Sequence, residues 1–439
     1  MSKIYQARGL SVPAGRLSRA ARMGGLTTSV LGSMAVNGTR ALASGQRPRA
    51  RDLLLTPGNA HRITEQLAQM RGAAMKLGQL LSMEAGDFLP EELARVLAHL
   101  RADAHYMPPA QLKQVLIRNY GPDFLKRFKR FDVRPVAAAS IGQVHRAVAQ
   151  DGRELALKIQ YPGVRAAIDS DIRNVGTLLR LSGLLPRDID LAPLLDEARR
   201  QLHEEADYRR EARQLAFFAE QLKGSTDFIV PRPHDDLSTD DILAMDFVES
   251  TPIDTLETAP QDDRDRTMSR LVALFLQELF GWRRVQTDPN FANYRYQSET
   301  GRIVLLDFGA TRDIPEPLVA RFHDLLTAAL AGDRDRLRAG LIAIGYFSEA
   351  TPPRQQDIIM AMTDLAQPVL AESGHDFGDT SVLAALRREG MRLGTDEAFR
   401  EIPPFDAIYL QRKIAGLVLL ATRLRARVPV RDLVTARIR

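Results

Sequence analysis

The first quarter of the chain carries the clearest helical pattern. Its apolar residues recur at alternating spacings of four and three, which is the repeat of one face of an amphipathic helix. These positions are Ile63, Leu67, Met70, Ala74, Leu77 and Leu81. The pattern predicts one long helix there, followed by a second helical region over about residues 90–120.

Between residues 136 and 160 the hydrophobic period changes from helical to alternating. Residues 139–148 predict a strand, 150–152 (Gln-Asp-Gly) predict a turn, and 154–160 (ELALKIQ) predict the returning strand of a hairpin. A small β-containing region therefore follows the helical beginning of the chain.

The rest of the chain is predicted to be mostly helical. Helices are expected first, then two short strands, and a small hairpin interrupts a long helical remainder that begins near residue 260. The expected helices cover 163–183 and 191–220, the strands lie near 227–231 and 241–247, and the hairpin pairs 293–297 with 302–307. This order predicts an α+β, two-lobed fold with a small β-containing lobe before a larger helical lobe.

Composition excludes several classes of protein. Of 439 residues, 45% are hydrophobic and 26% are charged, which is typical of globular proteins and not of disordered or collagen-like chains. There is no cysteine, so disulfides, thiolate metal sites and cysteine nucleophiles are excluded.

The positive net charge is concentrated at one end of the chain. Residues 1–55 hold nine Lys or Arg and one acid, a net +8, which leaves −3 of the total +5 for the other 384 residues. The basic excess is thus an arm, which suits an anionic membrane surface or a partner better than nucleic acid.

No run of residues predicts a membrane-spanning helix. The apolar run 24–36 is short and diluted with Gly, Thr and Ser, and 414–421 (IAGLVLLA) is flanked by Arg and Lys and predicts a buried helix. We expect a protein that is at most associated with a membrane surface.

The most specific chemical signal lies in the second lobe. Asp288 is followed five residues later by Asn293, and fourteen residues after that by Asp307-Phe308-Gly309. Protein kinases place a catalytic-loop Asp and Asn at the same separation, and D-F-G follows. Each motif alone also fits a simple turn, but together they predict a kinase-like site with Asn293 and Asp307 as magnesium ligands.

The first lobe offers matching charged residues. Lys158 lies in a predicted strand and is the candidate phosphate-binding lysine. On the predicted helix 191–220, Glu205, Asp207 and Glu211 form an acidic cluster, with Asp207 and Glu211 one turn apart on one face. A solvated acidic face among arginines is the alternative interpretation of this cluster.

Two departures from protein kinases bear on the substrate. No G-x-G-x-x-G precedes Lys158; an alanine-rich loop stands in its place, and it should be stiffer because alanine disfavours positive φ. Its residues are Ala137, Ala138, Ala139 and Ser140. After Gly309 there is no A-P-E, and few residues precede Pro315. The stiffer loop should be less able to wrap a nucleotide, which supports a nucleotide-binding scaffold. The short segment after Gly309 favours a small-molecule or lipid acceptor, or simple ATP turnover, over protein phosphorylation.

The long N-terminal helix carries a K-x-G-Q sequence, Lys76, Gly78 and Gln79. Lys76 and Gln79 lie on one side of that helix, and the glycine suggests close packing against another backbone. A surface Lys and Gln is the equally open alternative.

Together these residues resemble the UbiB/ADCK (AarF) family of atypical protein-kinase-like proteins, in its coenzyme Q-biosynthesis branch. The resemblance extends over about 55–435 and includes K-x-G-Q, the alanine-rich loop and an E-x-D signature at Glu205 and Asp207. The catalytic loop 286–293 (QTDPNFAN) and the later Pro403-Pro404 and Gln411-Arg412-Lys413 also resemble that branch.

The resemblance implies a kinase-like division of the chain and a family-specific extension. The chain would then comprise four parts: a basic, loosely ordered arm 1–55, a helical extension 56–122, an N-lobe 123–248 with the acidic helix inserted, and a helical C-lobe 249–439.

The resemblance also implies roles for single residues. Lys158 contacts the phosphates of ATP and pairs with Glu211, Asp288 is the catalytic-loop Asp, and Asn293 and Asp307 hold Mg²⁺. The stretch Met245, Phe247 and Val248 is the hinge that contacts adenine. The helix of Lys76, Gly78 and Gln79 regulates the site, with Lys76 near Glu205 and Asp207.

Three functions follow in order of preference. The first is a Mg-ATP-dependent atypical kinase or ATPase that supports ubiquinone biosynthesis at the membrane surface, with lipid-like quinone precursors and other quinone-biosynthesis proteins as partners. The second is a nucleotide-binding scaffold with little turnover, and the third is a conventional protein kinase. Because no long transit peptide is predicted, we expect a bacterial, cytoplasmic protein peripherally associated with the inner membrane.

Overall fold

The computed structural model describes residues 106–182, 191–370, 374–394 and 403–438, together with Ala73 and Lys76. The predicted N-terminal arm, most of the long helix over 63–81, and Gly78 and Gln79 lie outside these residues. The chain divides into two compact units. Of the described residues, unit 1 contains Ala73, Lys76, 106–182, 191–213 and 232–247, and unit 2 contains 214–231, 248–370, 374–394 and 403–438.

Unit 1 is built on an antiparallel sheet, whose strands are β1 Phe128–Phe131, β2 Ala137–Ala138, β3 Gly142–Ala149, β4 Glu154–Gln160 and β6 Ile242–Asp246. The strand order is β1-β3-β4-β6, and β2 pairs with the other end of β3. The helices that begin in this unit are α1 Pro109–Tyr120, α2 Val164–Ser182, α3 Ala192–Ala206 and α4 Tyr208–Gln221.

The predicted hairpin of unit 1 is present, with one boundary shifted. The return strand coincides with β4, and Gly152 provides the turn at φ +97°, a region that glycine enters without strain. The first strand begins at Gly142 rather than at residue 139, because Ala137–Ala138 form a separate strand that folds back on β3. Leu155, Leu157 and other alternating residues of the sheet are fully buried in the core of this unit.

The helix predicted over 191–220 is wrong as a single element. It breaks at Asp207, whose backbone leaves the helical region at φ −88° and ψ 85°. The Asp207 Oδ1 accepts a hydrogen bond of 2.9 Å from the backbone N–H of Arg210, so this carboxylate caps the start of α4. A short polar side chain that bonds nearby backbone competes with helix continuation, and Asp207 therefore does not share a helical face with Glu211.

Unit 2 is mainly helical, as the periodicity predicted. Its helices are α5 Gln261–Leu276, α6 Glu316–Ala331, α7 Arg334–Ile344, α8 Pro353–Ala366, α9 Ser381–Gly394, α10 Phe405–Leu424 and α11 Val430–Ile438. Its short strands are β5 Phe228–Ile229, β7 Thr251–Pro252, β8 Arg284–Gln286, β9 Tyr294–Gln297, β10 Arg302–Leu305, β11 Thr311–Asp313, β12 His375–Asp376 and β13 Arg427–Val428. The predicted hairpin is β9 with β10, and β5 adds to it in parallel.

Helix α10 contains the apolar run 414–421, and it is only partly buried. Leu417, Leu420 and Ala421 are in the core, whereas Ile414 is 40% exposed and Leu419 is 51% exposed. The prediction of a buried helix is therefore confirmed for its inner face and wrong for its outer face. In the part of the chain that the structure describes, no helix is long and apolar enough to cross a membrane.

Candidate functional site

A buried ion pair lies at the centre of unit 1. Lys158 is in the middle of β4, and its Nζ lies 2.7 Å and 2.9 Å from the two carboxylate oxygens of Glu211. Only 7% of the lysine side chain and 2% of the glutamate side chain are exposed. The Nζ also lies 5.4 Å from the centre of the Tyr208 ring. Two charges buried to this degree are tolerated because each satisfies the other.

The turn between α3 and α4 fixes the position of Glu211. The carbonyl oxygen of Ala206, at the end of α3, accepts hydrogen bonds from Gln160 Nε2 at 2.6 Å and from Arg165 Nη2 at 2.7 Å. Gln160 follows Lys158 by two residues on β4, so the same strand that carries the lysine anchors the turn. The structure thus brings together the lysine and the glutamate that the resemblance paired.

Lys76 and the acidic cluster meet at the alanine-rich loop. The Lys76 Nζ lies 3.0 Å from Glu205 Oε2, and the other oxygen of this carboxylate accepts a hydrogen bond from the Ser140 hydroxyl. Lys76 is helical, whereas Gly78 and Gln79 lie outside the described residues. Of the predicted regulatory set, Glu205 therefore contacts Lys76, while Asp207 caps α4.

The loop itself is short and tightly closed. Ala137 and Ala138 pair with Val144 and Gln143, and the Ala139 N–H donates 2.8 Å to the Gly142 carbonyl. A Cβ on Gly142 would overlap the carbonyl oxygen of Ile159, so the close approach of β3 to β4 at this point requires glycine.

The expected hinge residues lie at the end of β6 and just beyond it. Met245 is buried and lies opposite Ala156 on β4, and the Phe247 N–H donates 2.9 Å to the Glu154 carbonyl. The guanidinium of Arg146 lies 4.2 Å from the centre of the Phe247 ring. Val248 is the first residue of the next segment of unit 2.

In unit 2 the catalytic-loop candidates lie side by side. The Asn293 Nδ2 donates a hydrogen bond of 2.9 Å to Asp288 Oδ2. The pairing of β9 with β10 continues into the loop, where the Leu306 N–H donates a hydrogen bond of 3.1 Å to the Asn293 carbonyl. Asp307 is the next residue after Leu306. The predicted magnesium ligands thus come from adjacent ends of one hairpin.

Asp307-Phe308-Gly309 is fixed by its own hydrogen bonds and by aromatic packing. The Gly309 N–H donates 2.9 Å to Asp307 Oδ1, and the buried Phe308 ring lies 4.4 Å from the Phe218 ring centre. Beyond it, β11 pairs with β8, and α6 begins at Glu316. The segment after Gly309 is therefore short and is held by the hydrogen bonds between β11 and β8.

Helix α10 contributes a group of residues that motif reasoning left without a role. The Arg412 Nη2 lies 3.3 Å from Asp288 Oδ1, and the buried Lys413 Nζ donates to Gln286 Oε1 at 2.9 Å and to the Tyr294 hydroxyl at 2.6 Å. The sequence signal was a lysine on the apolar face of an amphipathic helix, where its charge must be buried.

Burial shifts the ionisation of this cluster. Burial raises the pKa of Glu278 to about 7, although the Lys413 charge and the Gln286 N–H oppose the shift. Burial alone would lower the pKa of Lys413, but Tyr294 and Glu278 outweigh it and the pKa is raised. Lys413 is therefore a protonated cation at neutral pH.

The donor set fits magnesium better than a transition metal. Within the described ranges no three His, Cys, Asp or Glu residues are placed to hold a metal ion. Asn293 and Asp307 supply hard oxygen donors, and Mg²⁺ is commonly held by one or two carboxylates together with substrate phosphates. The residues present therefore fit a nucleotide-bound Mg²⁺.

A match to the ABC1 atypical kinase-like domain covers residues 99–340. The chain belongs to the ABC1 family of atypical kinases. The family includes the mitochondrial atypical kinase COQ8 of Saccharomyces cerevisiae, which is 36% identical over 423 residues, or 95% of this chain and 84% of that protein. The rat mitochondrial atypical kinase COQ8B is 35% identical over 431 residues, or 98% of this chain and 81% of that protein. These matches confirm the UbiB/ADCK resemblance and a kinase or ATPase type of enzyme.

A solved structure supports the fold. The Rv3197–erythromycin complex from Mycobacterium tuberculosis aligns with a TM-score of 0.59 at 25% identity, covering 86% of this chain and 94% of that one. The kinase-like α+β fold predicted from the sequence is confirmed.

Proposed function

We propose that this ABC1 protein binds Mg-ATP and transfers or hydrolyses its γ-phosphoryl group, in support of quinone biosynthesis at a membrane surface. The observation that carries the proposal is the hydrogen bond of Asp288 with Asn293 at one end of a hairpin that leads directly to Asp307. A carboxylate beside two hard oxygen donors is the arrangement that phosphoryl transfer needs.

Each proposed role follows from the position of the residue. Asp288 accepts the proton of the attacking hydroxyl or orients a water, and Asn293 and Asp307 hold Mg²⁺. Bound Mg²⁺ would neutralise charge on the phosphate oxygens. In unit 1, Lys158 contacts the phosphates and Glu211 holds the lysine in place.

The short segment after Gly309 supports a small acceptor rather than a protein. Thr311–Asp313 are paired to β8, and Glu316 already begins α6. A protein kinase needs a longer activation segment there as a platform for a peptide. We therefore propose ATP hydrolysis or phosphorylation of a lipid-like quinone precursor, with the adenine contacted near Met245, Phe247 and Val248.

The cellular setting is proposed from the family and from the sequence. The basic arm 1–55 would bind an anionic membrane surface, where lipid-like precursors and other quinone-biosynthesis proteins are met. This corresponds to a protein held peripherally at the inner membrane.

The test is ATP hydrolysis by the full chain with Mg²⁺, measured with and without anionic liposomes and a phenolic quinone-precursor mimic. The variants are Asp288→Asn and, as matched control, Asp364→Asn, which removes the charge of an exposed carboxylate that pairs with Arg334 at the surface. We expect the first to lose turnover at least about 100-fold while Mg-dependent nucleotide binding survives, because it removes chemistry and not binding.

Two results would contradict the proposal. Nucleotide binding without turnover under every condition would favour a scaffold that changes shape with ATP or ADP. Phosphate transfer to added protein, absent in Asp307→Asn, would favour a conventional protein kinase.

A further inference from the structure

Both ends of the catalytic loop are fixed to α10 through one side chain. Gln286 precedes Asp288 by two residues, and Tyr294 follows Asn293 by one. The Lys413 Nζ bonds to Gln286 Oε1 at 2.9 Å and to the Tyr294 hydroxyl at 2.6 Å. A single buried cation thus joins the entry of the loop to its exit.

The same face of α10 also contacts the interior of the loop. Arg412 reaches Asp288 Oδ1 at 3.3 Å, and Gly416, one turn further along the helix, lies against Pro289. A Cβ on Gly416 would overlap the Cβ of Pro289 and lie 3.2 Å from its Cα, so the helix can approach the loop only with glycine here.

The loop cannot supply these interactions from its own sequence. Residues 288–293 (DPNFAN) carry no cationic side chain, and their local bonds include the Asn290 side chain, which accepts from the Ala292 N–H at 3.1 Å. The cation that faces Asp288 therefore comes from more than 100 residues further along the chain.

We propose that Arg412 and Lys413 are positioning residues for the proposed phosphoryl transfer: Lys413 sets the distance between the two ends of the catalytic loop, and Arg412 fixes the Asp288 carboxylate toward the reacting atoms. The proposal rests on the proposed function. It gives Arg412 and Lys413 of the Gln411-Arg412-Lys413 motif a role in catalysis without contact to the substrate. Such a role can be large, because a misplacement of about 1 Å in a catalytic group can lower turnover about 100-fold.

Folding and positioning must be separated, since Lys413 is buried and interacts electrostatically with Glu278. Lys413→Met alone leaves that carboxyl without its cation and is expected to destabilise unit 2. The double variant Glu278→Gln/Lys413→Met removes both charges and should restore much of the stability without restoring the link from Gln286 to Tyr294. Arg423→Gln is the control, because Arg423 lies on the same helix but pairs at the surface with Asp254 and Glu257.

Two readouts are taken on the full chain. Hydrogen–deuterium exchange of the backbone amides of 286–294 reports the loop itself, and ATP turnover with nucleotide affinity reports the consequence. In the double variant and in Arg412→Gln we expect kcat to fall at least about tenfold with nucleotide affinity within about threefold of wild type. In the double variant the loop amides should exchange at least about tenfold faster. Arg423→Gln should match wild type in loop exchange, kcat and nucleotide affinity.

The outcomes are distinct. If the amides of 286–294 exchange at the wild-type rate in the double variant, the proposal is overturned at any value of kcat. Faster exchange together with a wild-type kcat also overturns it. Recovery of kcat together with stability in the double variant would make Lys413 a structural residue only, which also overturns it. If the wild-type chain shows no turnover, the proposed function fails, and the exchange of 286–294 still decides whether α10 holds the loop.

Discussion

Breaking the ion pair between Lys158 and Glu211 should be expensive, and the cost can be worked from its burial. Glu211→Gln keeps the shape of the side chain but removes its charge, and leaves Lys158 with 7% of its side chain exposed in the middle of β4. Removal of one partner of a buried ion pair costs about 3–5 kcal/mol, because the remaining charge is desolvated without compensation. The pair lies in the sheet core, so the cost should fall on the unfolding of unit 1.

The second member of the experiment is Lys158→Met/Glu211→Leu, in which neither charge is buried. We expect this double variant to regain most of the lost stability, since apolar replacement of a buried pair is often neutral or stabilising. It should nevertheless bind Mg-ATP poorly, because it lacks the phosphate-binding lysine.

Urea unfolding, monitored through the hydrogen exchange of the β3 and β4 amides, measures the stability of this unit. The matched control is Asp123→Asn, an exposed residue of unit 1 that pairs with Lys126. A loss below about 1 kcal/mol for Glu211→Gln would refute the reasoning, because losses of that size are typical of surface pairs. Full nucleotide affinity in the double variant would refute the role of Lys158.

Further predictions concern α10, Glu278 and the N-terminal arm. Gly416→Ala should lower ATP turnover at least about tenfold, because the added methyl overlaps Pro289. For the same reason it should lower the free energy of unfolding by about 1–3 kcal/mol. A Cβ on Gly390 of α9 lies 3.8 Å from the end of the Met362 side chain, which is an ordinary contact, so Gly390→Ala should be neutral or stabilising in urea unfolding. Equal behaviour of the two variants would contradict the packing argument. The pKa of Glu278 is raised from 4.5 to about 7 on folding. Its contribution to the free energy of unfolding is therefore fully present below about pH 4.5 and is lost as the pH rises to about 7, a loss of roughly 3 kcal/mol. The pH profile of unfolding should therefore be flatter in Glu278→Gln, and an unchanged slope would count against it. Deletion of residues 1–55 should reduce flotation with anionic liposomes but not with neutral ones, and equal recovery of both chains would exclude the arm.

The sequence predicted those parts of the fold that depend on local pattern. The hairpin of β3 with β4 and the hairpin of β9 with β10 were visible because alternation and turn residues are local signals. The break at Asp207 was not, because an aspartate in a helical pattern is compatible with both continuation and capping. The boundary at Gly142 depends on Ala137–Ala138 folding back on β3, which is a pairing between segments and not a local preference.

The residues of the candidate site likewise fall into those that a local sequence pattern reveals and those that depend on contacts between distant segments. Asp288, Asn293 and Asp307 were found by spacing, because protein kinases carry these residue types at a characteristic separation in the sequence. The partnership of Lys413 with Gln286 spans 127 residues and has no spacing rule. Only the unusual position of a lysine on an apolar helix face could have indicated it.

The most direct test of the account is a single-turnover measurement. The full chain is mixed with a substoichiometric amount of ATP labelled in its γ-phosphate, with and without Mg²⁺, beside Asp288→Asn. We predict Mg-dependent loss of label from ATP by the wild type, as free phosphate or on a small acceptor, and none by the variant. Label that stays in ATP bound to the wild type, or that is lost equally by Asp288→Asn, would contradict it.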